Sequence, residues 1–588
     1  MSIVAEALAP LQNRRVSATL LAPSTSAGVT LESPDQAWPM ARLERWFLRG
    51  CVFLLPLAFS WETYDGYALP KLLLARVLIT GLLVLWLARI ALTGTLVIRR
   101  TALDLPVLAF VLSAAVSALF AYNLNTALFG TYSRYDGLFT LASYAALFWL
   151  AVQTLATKEH ARGLLRTLLA SGYAVSVIAI LQSITDSLRL GELAPAFGTM
   201  GQKNSLGALL AMLLPLACWE LVAARSWVAR LLAFNAVAIL GLALVLTFSR
   251  SAWLATAIAL TVILVATRRG WWQRLMAAGA VAVVLGAAAA AVLQAPGVPL
   301  QRTDLAALGD RPVVWADTLH LIASRPVLGY GPDNFGLVYG RFESTDLHQP
   351  WDKAHSELLQ IGATQGAAGV ATYAWLIAAF AVAFWHGPHD PAAYAVLAAW
   401  LAYQLTLQIN FTTLAAALPF WAFMAAAVVL LGAKWERAPT ATRRGPPLTA
   451  ATSLVAAAVI AVGGASIAYP YLADRQLLAA VIADYAGSSA AAVAPAQEAR
   501  LLGPWESVYA TEVGNLAFES QHWALAREAY GEAARLGTYN PGVYRNLALA
   551  DINLGLTFEA REAARQAVAL DRFDPANVAL LAEFGEVP

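Results

Sequence analysis

Apolar runs of about twenty residues recur along the chain, separated by short connectors, and one polar stretch of about sixty residues, 294–354, breaks the rhythm. A helix needs about 20 mostly apolar residues to cross the hydrocarbon core of a bilayer. Roughly thirteen segments meet that length, near 47–60, 72–92, 103–121, 137–155, 164–184, 204–223, 229–248, 251–267, 273–293, 357–384, 393–409, 413–432 and 451–469. The pattern predicts an all-α fold: a polytopic membrane bundle of about 12–13 transmembrane helices, a large polar loop and a polar helical tail.

Composition sharpens this. With 59% hydrophobic and 13% charged residues and a mean hydropathy of +0.60, the chain is excluded from the soluble enzymes. Ala and Gly within the apolar runs let helix backbones approach closely. The two cysteines, Cys51 and Cys218, both fall in apolar runs, so neither a disulfide framework nor a cysteine metal site is available. A net charge of +2 carries no nucleic-acid signal, and no nucleic-acid partner is expected.

Charge placement gives an orientation. Arg99, Arg100, Lys158, Arg162, Arg268, Arg269, Arg443 and Arg444 belong to one set of alternate connectors, and the opposite set holds about half as many cations. The positive-inside rule makes the first set cytoplasmic, which places the long loop and the tail outside the cytoplasm. The first 45 residues are rich in Ser, Thr and Pro and lack an early apolar region, so they read as a disordered cytoplasmic lead rather than a cleaved signal peptide. The domains expected are the lead at 1–45 and a membrane domain at 46–435 with its large loop at 294–355. A linker with the last transmembrane helix follows at 436–472, then the extracytoplasmic tail at 473–588.

Within that tail, Ala526-Arg-Glu-Ala529 recurs as Ala560-Arg-Glu-Ala563, Ala533 as Ala567, Leu536 as Leu570 and Asn540-Pro541 as Asp574-Pro575, each at an offset of 34 residues. The period, the small residues at packing positions and the closing Pro resemble the tetratricopeptide repeat. Two units span roughly 507–575, a partial helix caps them at 576–584, and a degenerate unit precedes them at about 474–500. Such repeats bind partners, so a protein partner is expected there, with a passive helical appendage as the plain alternative.

Candidate chemistry gathers around the long loop. His320, His348 and His355 lie on the extracytoplasmic side, and His355 sits where the loop re-enters a helix, where an imidazole titrating near neutral pH can take a proton from a hydroxyl. His320 falls in a short helix opened by Asp310 and Pro312, in which Trp315, Leu319 and Ile322 share a face that lies flat on the interface or the bundle. Arg250 stands in an otherwise apolar run, facing either a cavity or, by snorkelling, the interface. Arginine presents a bidentate, permanently charged fork to a diphosphate, which makes Arg250 and Arg311 first choices for an anion clamp and Arg134 a third. Asp346, His348, Asp352 and His355 are the competing metal set, without a ligand-spacing signature. No phosphate-loop or dinucleotide fingerprint occurs in the sequence.

Five segments then follow in order: Phe197-Gly-Thr-Met-Gly-Gln-Lys-Asn-Ser-Leu-Gly, Thr247-Phe-Ser-Arg-Ser-Ala-Trp, Arg311-Pro-Val-Val-Trp, Arg325-Pro-Val-Leu-Gly-Tyr-Gly-Pro-Asp-Asn-Phe and His355-Ser-Glu-Leu-Leu-Gln-Ile-Gly. Together they resemble the O-antigen ligase and O-antigen polymerase superfamily of bacterial membrane glycosyltransferases, over roughly residues 45–435. The resemblance implies metal-independent transfer of a glycan from an undecaprenyl diphosphate carrier to an acceptor hydroxyl at the periplasmic face of the inner membrane, with no cofactor. It makes His355 the catalytic residue and Arg250 and Arg311 the diphosphate ligands. Arg134, Lys203, Arg325 and Glu357 are secondary positions, and no metal is expected.

A single in-line displacement predicts inversion at the anomeric carbon. Lipid A-core, a growing glycan or a protein are the acceptors that branches of the superfamily use, so a polymerase and a protein O-oligosaccharyltransferase stay beside the ligase reading. From another class, a transporter or flippase of lipid-linked glycans is the alternative, and a catalytically inactive scaffold presenting the repeats is a third.

Overall fold

The computed structural model describes residues 38–266, 309–347 and 351–586, apart from Gly94, Glu192, Ala433 and the stretches 437–439 and 442–445. The apolar run at 273–293, the start of the long loop and His348 lie outside the described residues. Every other apolar segment read from the sequence is helical, and the described chain is nearly all-α.

Among the described residues, six helices are long and apolar enough to cross a membrane: Ala68–Thr93, Lys158–Leu190, Lys203–Ala223, Trp227–Leu246, Glu357–Trp385 and Ala450–Tyr485. The chain is thus a multi-pass membrane protein. Shorter apolar helices, among them Asp104–Leu119, Leu138–Thr154, Pro391–Leu407 and Leu414–Leu430, complete the bundle. All residues of Leu414–Leu430 are buried, as is the run from Ser205 to Ala217 in Lys203–Ala223, so these two helices form the bundle axis. A helix apolar on every side belongs there, surrounded by other helices. Trp227–Leu246 instead leaves Leu231, Leu232 and Phe234 exposed, as a helix on the lipid side does.

Two expectations change at the N-terminus and at the tail. The first helix spans Trp38–Leu54, starting inside the segment read as a disordered lead and ending short of residue 60. Pro56 accounts for the early end, because proline disfavours helical backbone in the residue before it. The boundary expected at 472/473 falls inside one continuous helix, Pro446–Tyr485, which runs from the last apolar segment into the tail. Asp474 anchors that junction, accepting from the Asp65 amide (2.9 Å) and from the Tyr132 hydroxyl.

The tail continues through Ser489–Leu502, Ser507–Glu519, Trp523–Leu536, Pro541–Asn553, Thr557–Leu570 and Pro575–Ala582, each packed on the next. Ala526, Ala529 and Ala533 are buried, and so are their counterparts 34 residues on, Ala560, Ala563 and Ala567. The repeated small residues are therefore helix-packing residues.

The helix Glu357–Trp385 is broken at Gly366, whose φ of 62° and ψ of −160° lie outside the helical region. The segment 326–331 occupies the break. Tyr330 and Gly331 amides donate to the Ala363 and Thr364 carbonyls (3.0 and 2.8 Å), and Ala367 donates to the Pro326 carbonyl (2.8 Å). Freed helical carbonyls and amides thus find partners inside the protein, which is the condition for irregular backbone beside a membrane. A side chain at 366 would collide with the Val327 backbone, and its positive φ suits glycine alone.

Candidate functional site

The site is assembled where four segments meet: the turn 130–137, the junction at Ser249–Ser251, the loop 311–355 and the residues 410–412 between two core helices. His355 is held in left-handed backbone (φ 52°), a conformation uncommon for a side chain with a Cβ and found mostly where function or packing compels it. Its ring is wedged between Trp351 and Phe411, both edge-on with centroids 4.9 Å away. Its Nδ1 is buried without a hydrogen-bond partner.

Burial pulls the His355 pKa down to about 4, with Arg311 and Arg134 adding to the effect and Asp352 opposing it. This corrects the expectation of an imidazole titrating near neutrality. With burial and two cations outweighing one carboxylate, the ring is neutral at physiological pH and lone-pair donation is available.

Arg311 opens the helix Arg311–Ser324 and is half-buried; burial lowers its pKa. Its Nη2 donates to Asn410 Oδ1 (3.4 Å), and Asn410 Nδ2 donates to Ser251 Oγ (2.7 Å). Asn410 therefore bridges the two arginine-bearing segments, since Arg250 is the neighbour of Ser251. Arg250 is exposed, and neither arginine has a carboxylate partner among the described residues. The tight turn that delivers Arg250 passes through Phe248 at φ 53° and is fixed by the Ser249 hydroxyl, which donates to Asn204 Oδ1 (3.0 Å). Lys203, the residue before Asn204, is exposed at the start of its helix.

The other candidates separate into those at the site and those that hold it. Arg134 stacks over Phe411 (5.3 Å) and pairs with Asp352 (2.5 Å), so it shapes the wall around His355 and has its charge already matched. Glu357 accepts from the Thr412 amide (2.8 Å), one residue beyond Phe411. Arg325 lies over the Tyr330 ring (4.6 Å) and donates to the Phe120 carbonyl, which locks the loop entering the Gly366 break. His320 is exposed, on the same short helix as Arg311. That helix buries Val314, Asp317, Thr318 and Leu321 against Phe335 and Val338, whereas Leu319 is 55% exposed, so the face read from Trp315, Leu319 and Ile322 is rotated. Asp317 decides the rotation by accepting from the Tyr339 hydroxyl (3.2 Å) and the Ser344 amide (3.1 Å).

Sequence reasoning missed a buried charge cluster next to His355. Lys353, 3% exposed at its side chain, donates to Asp136 and Asp333 at 2.7 Å each. Asp333 also accepts from the Thr131 amide (2.6 Å) and hydroxyl (2.9 Å). The two carboxylates and their hydrogen bonds push the Lys353 pKa up against the effect of burial, so it stays charged. The cluster ties the turn 130–137 to both ends of the segment 333–353 and so fixes the approach to His355. The sequence signal was a lysine and two aspartates beside membrane helices, but they lie far apart in the chain.

The tail reaches the same place. Asn125 Nδ2 donates to the Trp505 and Leu536 carbonyls (2.8 and 2.9 Å), Phe129 stacks on Trp505, and the backbone at Gly340 passes so near Leu570 that a side chain would clash. Tyr539, from the turn between two tail helices, packs on the apolar cluster that includes Phe335 and Val338 and is close enough to Arg134 and Asp352 for their charges to act on it. Among the described residues no three His, Cys, Asp or Glu side chains gather as a metal site, and Asp352 is engaged by Arg134.

Residues 235–374, which contain Arg250, Arg311, Lys353 and His355, match the family model described as O-antigen ligase. None of the curated proteins matches the chain. The family match supports a place in the superfamily of membrane glycosyltransferase-like ligases and polymerases.

Proposed function

We propose that the chain is an inverting, metal-independent glycosyltransferase that moves a glycan from undecaprenyl diphosphate to an acceptor hydroxyl at the periplasmic face of the inner membrane. The observation that carries the reading is a neutral, ring-clamped His355 beside Arg311, which Asn410 links to the segment bearing Arg250, neither arginine having a carboxylate partner among the described residues.

Arg250 and Arg311 take the diphosphate, with donors and charge already in place when the leaving group develops its own. The acceptor oxygen attacks the anomeric carbon, the bond from that carbon to the diphosphate oxygen breaks, and the hydroxyl proton passes to His355. In the empty site Arg311 weakens His355 as a base. A bound diphosphate neutralises that field and strengthens the base only when the donor is present, which guards the carrier against idle hydrolysis. Glu357 and Arg134 position the residues around Phe411, while Lys203 and Arg325 stand outside the reacting centre. The repeats of the tail resemble tetratricopeptide units and form one wall of the approach through Tyr539, which makes them the element that selects the acceptor: lipid A-core, a growing glycan or a protein.

Reconstitution with an undecaprenyl diphosphate glycan and those three acceptors, in chelator, tests this by released carrier and product mass. Carrier release coupled to one glycosylated acceptor, and lost in the Arg250→Gln/Arg311→Gln double variant, is expected. Glycan-bearing carrier crossing the bilayer intact would instead assign a transporter.

A further inference from the structure

A chamber opens beyond Phe411 and Glu357 in the heart of the bundle. Its walls include Tyr144, Tyr403, Gln404, Trp400, Glu357 and Lys353. Tyr144 is 2% exposed, and its hydroxyl has no hydrogen-bond partner. Tyr403 is 1% exposed, and its hydroxyl lies beside Thr412 without a bond of normal geometry. Both rings are fixed by stacking, Tyr144 on Trp421 (6.3 Å, 15°) and Tyr403 on Phe420 (4.0 Å, 9°), so neither hydroxyl can swing away to find a partner. Buried polar groups left in this state are rare and call for a ligand or water to complete them.

The charge of the chamber selects among ligands. Its cation, Lys353, is held between Asp136 and Asp333, and Glu357 adds a third carboxylate. An anion such as the diphosphate is repelled from such walls and is left to Arg250 and Arg311, on the Asn410 side of Phe411. Aromatic faces, phenol hydroxyls, an amide and carboxylates together suit a neutral polyhydroxylated ring. Phe411 lines the chamber and packs on His355 at 4.9 Å, so a ring seated there lies one side chain from the imidazole.

We propose that this chamber is a sugar-binding subsite that seats the ring of the acceptor glycan whose hydroxyl His355 deprotonates. The assignment to the acceptor rests on the glycosyltransferase reading; the assignment to a sugar does not.

The test uses the full-length chain in lipid nanodiscs prepared without glycosidic detergent, with free glucose, galactose and N-acetylglucosamine as probes. Saturation-transfer NMR is expected to show binding by the wild type and by His355→Ala, and a signal reduced at least about fivefold in Tyr144→Phe/Tyr403→Phe, which removes two buried hydroxyls that make no protein hydrogen bond of normal geometry. In the transfer reaction each single Tyr→Phe variant should raise the acceptor KM about 3–10-fold and leave the donor KM unchanged. No sugar signal, or an equal signal from the double variant, overturns the subsite. A rise in the donor KM alone overturns its assignment to the acceptor. Sugar binding without transfer by any variant or the wild type keeps the subsite and removes the glycosyltransferase reading.

Discussion

Replacing Lys353 with methionine keeps the length of the side chain and deletes a charge that two buried carboxylates share. Each contact is 2.7 Å long, and Asp333 and Lys353 are only 1% and 3% exposed at their side chains. At an effective dielectric near 20 each contact represents roughly 6 kcal/mol of gross attraction. Desolvation of the three ions cancels most of it, and breaking one buried pair costs about 3–5 kcal/mol net because the remaining charge is left uncompensated.

The deficit has a definite pH dependence. Burial raises the Asp136 pKa and Lys353 holds it down, so Lys353→Met lets it rise further. A carboxyl with a raised folded-state pKa stabilises the fold below its unfolded pKa and loses that contribution as pH climbs through the folded value. The Lys353→Met deficit should therefore be widest near pH 8 and narrow toward about pH 5. Neutralising all three groups, in Asp136→Asn/Lys353→Met/Asp333→Asn, should recover about half of the loss or more, since an intact buried ion cluster is close to neutral against uncharged replacements. Thermal unfolding in nanodiscs at the two pH values reads all of this. A Lys353→Met protein as stable as the wild type at pH 8, or a deficit that grows in acid, would mean that Lys353 does not hold the two carboxylates in the fold.

Three further outcomes follow from the geometry. Arg311→Gln should lower kcat/KM about 10–100-fold through lost charge-assisted bonds, and should move the acid limb of its pH profile upward from about 4, because the arginine depresses His355; an unmoved limb in a variant that still turns over would separate the two residues. Gly340→Val should undock the tail, since a side chain there meets the Leu570 backbone, and limited proteolysis should then cut between the tail and the bundle in the variant first. Gly366→Ala should cost about 1–3 kcal/mol by forcing a Cβ into a positive-φ position against Val327, read as a lower melting temperature with the loop 326–331 exchanging its amides faster.

Much of the bundle was legible because the lipid environment demands long apolar helices, and hydropathy reports those directly. Pro56 and the helix start at Trp38 were harder, because a boundary depends on two or three local residues. Around the site, His355, Arg250 and Arg311 stood out as polar groups where the chain meets the bundle; in the structure Asn410 links Arg311 to Ser251, the neighbour of Arg250, and Phe411 packs on His355. Asn410 itself was passed over, although it interrupts an apolar stretch, since nothing in the sequence gives its partners. The Lys353 cluster joins residues about two hundred positions apart, so only the fold assembles it. The break at Gly366 hid for another reason: Thr364-Gln-Gly-Ala-Ala-Gly is compatible with helix, and the pairing of 326–331 overrides that local preference. Basicity was misjudged for His355 because its value depends on burial and on two arginines that approach from elsewhere in the chain.

In the proposed mechanism His355 receives the acceptor's proton while the arginines hold the donor. Single-turnover release of undecaprenyl diphosphate by His355→Ala, at donor and acceptor concentrations that saturate the wild type, tests it most directly. Donor binding within about twofold of the wild type is expected, with a chemical step slowed about 10²–10⁴-fold, the range of a lost general base. Release at the wild-type rate would contradict it.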